Sequence, residues 1–173
     1  DGAGNRWKTV ISSDHVYLTV YLFSAAVINQ INHSGSCSSG WSEFNGRCLR
    51  YFSVPVTWAT AQKSCVSLQA NLVSVHNIDE FDEIQRLLMA ATNEYKEIWI
   101  GGSDAEEVGT WLWSDGSPFH FTHWCPGEPN NGGSRGDQHC LEMNDRGSTC
   151  WDDQQCLEVR PFVCAKRINS CDQ

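Results

Sequence analysis

Glu128, Pro129, Asn130 and Asn131 stand in the stretch CPGEPNNGG, from Cys125 to Gly133. Asp137 follows, and then Asp152 and Asp153, which come directly after Trp151 and lie between Cys150 and Cys156. Carboxylate and amide oxygens are the ligands of hard cations, and calcium takes about six to eight of them. A mixed set also suits a polyol, because a carboxylate accepts a hydroxyl proton and an amide can donate as well as accept. The same residues suit a plain turn, since Pro, Asn and Gly are the usual turn formers. The stretch alone does not choose between these readings.

Other constellations are weaker. His120, His123 and Cys125 in HFTHWC have zinc-ligand types. A disulfide claims Cys125 equally well, and no fourth ligand is evident, so zinc is set aside. There is no P-loop and no GxSxG, and a cysteine-paired secreted frame leaves no Cys–His couple for catalysis. The chain is read as not an enzyme. Its net charge of -9 argues against a phosphate-backbone binder, so no nucleic-acid partner is expected.

The elements that must position the acids are legible from Cys37 onward. CSSGWSEFNGRCLRYF reads as a hairpin with Asn45-Gly46 at its turn. In TWATAQKSCVSLQA, Thr57 suits an N-cap, and Trp58, Ala61, Cys65 and Leu68 recur at helical spacing. NLVSV reads as a short strand. NIDEFDEIQRLLMAAT reads as a second helix, with Asn77 and Glu80 as a capping pair and Phe81, Ile84 and Leu88 facing inward. Asp79, Glu80, Asp82 and Glu83 form a solvated, dipole-favoured first turn. EIWIGG is an apolar strand. From Ser103 to Gln138 regular structure is hard to read, and loops of that length are usually functional. HCLEMN, TCWDD and FVCAKR then read as short closing strands.

The first thirty-six residues differ. Arg6 and Lys8 precede an apolar run from Val16 to Ile28, too short to span a bilayer comfortably, which takes about 20 residues. The pattern reads as a secretory signal over residues 1–26, with an incomplete N-terminus and cleavage near Ala26. A short linker covers 27–36, with Asn32 in a glycosylation triplet. A domain covers 37–167 and a tail 168–173. Nine cysteines fit an oxidising, extracellular setting. No membrane insertion is expected once the signal is removed.

The cysteines, WIGG, EPN and CWDD, in this order, resemble the C-type lectin-like domain, in particular secreted fish C-type lectins and type II antifreeze proteins. The resemblance covers Cys37 to about Lys166. It implies an α+β fold, two helices with two small antiparallel sheets and a long calcium-binding loop, stapled by disulfides. By position it implies the bridges Cys37–Cys48, Cys65–Cys164, Cys140–Cys156 and Cys125–Cys150. Cys171 is left over, for an intermolecular bond that would make a homodimer, or for a small-thiol cap.

The resemblance also implies a cis bond before Pro129 and one calcium ion held by Glu128, Asn130, Asp137, Asp152 and Asp153. Glu128, Asn130 and Asp152 would touch a terminal hexose of a glycan. EPN goes with mannose-type sugars in the family. Asp152 stands where the family usually has asparagine, which removes a donor and leaves galactose open. Gln138 stands where the family has glutamate. Of a second family calcium site only Asp104 remains, with Val108, Asn131 and His139 in place of the other acids. The expected function is a secreted, calcium-dependent, carbohydrate-binding lectin of innate recognition. An ice-binding protein or a calcium-independent protein-interaction module on the same fold are its rivals.

Overall fold

The computed structural model describes residues 36–132 and 137–168. The signal-like segment, Asn32 and Cys171 lie outside the described residues. The elements run β1 (Ser42–Phe44), β2 (Arg47–Val56), α1 (Trp58–Ser67), β3 (Asn71–Leu72), α2 (Ile78–Thr92), β4 (Ile98–Ser103), β5 (Leu112–Trp113), β6 (Gln138–Met143), β7 (Trp151–Gln155) and β8 (Arg160–Arg167).

Asn45 and Gly46 take φ of 49° and 73° at the β1–β2 turn. Two consecutive positive φ values match the twist of a tight hairpin, and Asn and Gly tolerate them best. β2 then pairs antiparallel with β8. The sheet runs β1-β2-β8-β4-β6-β7, with β3 beside β8 and β5 beside β4. Two antiparallel groups are present, as expected, but they are hydrogen-bonded into one network. The join is a single parallel pairing, Trp99 with Phe162.

Both helices present apolar stripes to this sheet. On α1, Ala61 and Cys65 are fully buried, whereas Leu68 caps the helix end and stays exposed. Thr57 occupies the N-cap position, but its hydroxyl donates to Thr60 and caps no backbone N–H. On α2, Asn77 accepts the Glu80 N–H at 2.9 Å. The Glu80 carboxylate reaches back past Asn77 to the His76 N–H at 3.0 Å. Glu80 also pairs with Arg47 at 3.0 Å and is mostly buried, so the first turn of α2 is only partly solvated. Phe81, Ile84 and Leu88 are buried, as their period requires, and Gln85 joins them.

The core is continuous with β4. Ile98, Trp99 and Ile100 are fully buried. Burying side chains of this size contributes about 1.5–3 kcal/mol each. Buried indole N–H groups usually find partners, although those of Trp111, Trp113 and Trp151 have none among the described residues. Trp99 donates to the Val56 carbonyl and Trp58 to the Ile100 carbonyl, both at 2.9 Å. The glycines that follow have a steric cause. A Cβ on Gly101 would lie 2.7 Å from the Leu72 carbonyl oxygen, and one on Gly102 would lie 2.6 Å from Leu141.

Four disulfides close the domain: Cys37–Cys48, Cys65–Cys164, Cys125–Cys150 and Cys140–Cys156. All match the pairing that the family resemblance implies. Cys125 is therefore no zinc ligand.

Candidate functional site

The stretch between β5 and β6 is held less by hydrogen-bonded ladders than by aromatic packing. Trp151, fully buried on β7, is met edge-on by Trp113, Phe121 and Trp124, with ring centroids 5.8, 5.6 and 5.9 Å away. Such pairs add about 0.5–1.5 kcal/mol each beyond the area they bury. The backbone adds a clasp. Trp151 donates to the His123 carbonyl, and Cys125 donates to the Trp151 carbonyl, each at 2.8 Å. The Cys125–Cys150 bridge sits beside this clasp. The segment carrying Glu128 is thus fixed to the strand carrying Asp152 and Asp153.

Three acids converge there. One carboxylate oxygen each from Glu128, Asp152 and Asp153 lies within 4.8 Å of the other two. The Glu128–Pro129 peptide bond is cis, as the resemblance implies. Asp153 accepts the backbone N–H of Asn130 at 2.9 Å and of Asn131 at 2.6 Å, one on each oxygen. Asn130 turns its amide nitrogen to Glu128 Oε1 at 2.8 Å. Glu128 Oε2 and Asp152 Oδ1 are buried without a hydrogen-bond partner among the described residues.

The electrostatics follow from that crowding. Burial, and then repulsion from Glu128, pushes the Asp152 carboxyl up to about 8. Two carboxylates this close share either a proton or a cation. The orphaned oxygens, the third carboxylate and the adjacent amide form a donor set of hard oxygens that fits calcium. Glu128, Asn130, Asp152 and Asp153 are therefore brought together. Asp137 lies outside the convergent trio, half-buried, with its Oδ1 unpartnered.

Asp104 is engaged elsewhere. Its Oδ1 pairs with His139 Nδ1 at 3.0 Å, and its Oδ2 accepts the Gly109 N–H at 2.7 Å.

Sequence reasoning missed some positioning groups. Asn131 does its work through the backbone N–H, which no residue type advertises. Asn144 and Gln85 form a buried amide pair, with the Gln85 Nε2 to Asn144 Oδ1 contact at 2.6 Å. Asn144 also donates to the Lys96 carbonyl at 3.0 Å. A signal for Gln85 existed, because 81, 84, 85 and 88 fall on one helical face.

The chain matches the family described as Lectin C-type domain over residues 54–166. It is 34% identical over 157 residues to "Galactose-specific lectin nattectin" of Thalassophryne nattereri, covering 88% of this chain and 97% of that one. It is 35% identical over 130 residues to a "Type-2 ice-structuring protein" of Hemitripterus americanus, covering 75% and 74%. The solved structure of herring type II antifreeze protein superposes with a TM-score of 0.70 at 32% identity, covering 77% of this chain and 100% of that one.

Proposed function

The chain belongs to the C-type lectin domain family, and from that premise we propose that it is a secreted, calcium-dependent lectin for terminal hexoses. The supporting observation is the convergence of Glu128, Asp152 and Asp153 with two orphaned carboxylate oxygens beside Asn130. Glu128, Asn130, Asp152 and Asp153 would hold one calcium ion, with Asp137 as a further ligand from the neighbouring loop. The ion would supply coordination positions that two vicinal sugar hydroxyls fill.

The residues themselves divide the hydrogen bonding. Glu128 accepts a hydroxyl proton, and Asn130 donates to a hydroxyl oxygen through its amide. Asp152 accepts only, where an asparagine would also donate. The EPN triplet favours a mannose-type arrangement of equatorial hydroxyls. The acceptor at Asp152 weakens that preference, and nattectin, named galactose-specific, keeps the alternative in the test. Four disulfides support an extracellular setting. Recognition of glycans in innate defence fits such a protein. The domain would span 37–167 behind a cleaved 1–26 leader, and Cys171 would link two chains, which raises the avidity of weak single sites.

Ice binding is the second reading, because an ice-structuring protein at 35% identity falls between two relatives with lectin names, nattectin at 34% and ladderlectin at 40%. Retention on mannose and galactose resins, in calcium and then in chelator, tests both. Calcium-dependent retention that Glu128→Ala abolishes is expected. Retention that survives chelator or Glu128→Ala would refute this site. Calcium stabilisation without retention, together with arrested ice growth, would replace the lectin reading.

A further inference from the structure

A second group of acids lies at the start of β4 and the end of β6. One carboxylate oxygen each from Glu97, Glu142 and Asp145 lies within 4.8 Å of the other two. Glu142 is fully buried, and its Oε1 has no hydrogen-bond partner among the described residues. Its Oε2 accepts from Arg160 Nε at 2.7 Å, and the same Nε lies 3.4 Å from Glu97 Oε2. Arg160 thus pairs with two of the three acids, and its Nη1 also lies 3.7 Å from Glu158 Oε2. Arg146 sits 3.6 Å from Asp145 with its side chain 87% exposed, where water screens it, and Lys96 pairs with Glu94 at 3.2 Å.

The scaffold holds these acids in place. Asn144, fully buried, is bonded to Gln85 of α2 and to the Lys96 carbonyl. That clasp sets Glu97 on one side and Asp145 on the other. Glu97 Oε1 further accepts the Arg146 N–H at 3.2 Å. An open cavity of about 440 Å³, whose lining includes Lys96, Glu97, Gly147, Val159 and Arg160, lies against the group.

We propose that Glu97, Glu142 and Asp145 hold a hard divalent cation, in addition to the ion at Glu128. A lone buried carboxylate oxygen is costly without a partner. A cation on Glu142 Oε1 supplies the missing partner while Arg160 keeps Oε2. Three carboxylates and cavity water make an all-oxygen set, which selects calcium, magnesium or manganese over softer metals. The ion would tie the start of β4 to the turn after β6. The proposal uses none of the EPN residues, although Glu142 stands opposite Asp152 in the β6–β7 register.

Manganese serves as the probe, added to the isotope-labelled full chain and followed by paramagnetic loss of amide signals. The Ile98 and Gly147 amides should broaden in wild type and still broaden in Glu128→Gln. They should keep their intensity in Glu97→Gln, with manganese affinity at that place at least tenfold weaker. Thermal melts would verify that both variants fold. Broadening confined to the surroundings of Asn130 and Asn131 would overturn the proposal, as would an unchanged response of Ile98 and Gly147 in Glu97→Gln.

Discussion

Asp152→Asn should stabilise the calcium-free protein, and increasingly so as pH rises. In the fold, burial and then Glu128 raise the Asp152 carboxyl from 3.8 to about 8. The folded state therefore keeps a proton that the unfolded state gives up near its ordinary value of about 3.9. The stability this group contributes is fully present below about 3.9 and is lost as pH rises through about 8. Between those limits the folded chain binds one more proton than the unfolded chain. The slope is then about 1.4 kcal/mol per pH unit, so roughly 3 kcal/mol disappears between pH 5 and 7. An asparagine at 152 removes that loss. For a domain of this size the difference amounts to a change in Tm of roughly 8 °C. Glu142, raised to about 7 by its own burial against the pull of Arg160, adds a pH dependence common to both chains. The quantity to read is thus the difference between them. Urea unfolding with chelator, disulfides intact, at pH 5, 6 and 7 and fixed ionic strength measures it. A difference constant to within about 0.5 kcal/mol across that range would refute the reasoning. Calcium should reverse the order, because binding needs Asp152 ionised and should release up to about one proton per ion below pH 8.

Three further outcomes are expected. Gly101→Ala should cost about 2–3 kcal/mol in urea unfolding, more than Gly102→Ala, because its Cβ meets the Leu72 backbone while that of Gly102 meets a side chain able to shift. Replacing Cys65 and Cys164 by Ala should cost about 4–5 kcal/mol, since the bridge closes a 99-residue separation, and melting of the oxidised proteins would show it. Arg47→Ala should cost about 2–3 kcal/mol, because it strips charged hydrogen bonds from Glu80 and from the Ser74 hydroxyl and carbonyl; Glu80→Gln should cost less.

Local signals carried much of the fold. The hairpin at Asn45-Gly46, the α2 cap at Asn77 and the stripe of Phe81, Ile84 and Leu88 depend on neighbours within a few residues, so their periods are written along the chain. The fate of Leu68 was not legible, because a helix end one residue earlier turns an apolar position outward. Glu80 was not legible either. Its burial depends on Arg47, which reaches it from strand β2.

For the candidate site, the sequence determined the donor types and a loop rich in Pro, Asn and Gly to carry them. The family resemblance supplied the disulfide frame that holds this loop. Tertiary structure decided which acids meet. Asp153 fastens the loop by accepting two backbone N–H groups, which places Asp152 and Glu128 close enough to repel. Glu142 shows the same division. In HCLEMN it reads as an ordinary strand acid, and only the pairing of β6 between β4 and β7 removes it from water. Chemical type is a local property of a residue. Burial and proximity are properties of segments that meet from far apart in the chain, and they set the charge, the affinity and the cost of each acid.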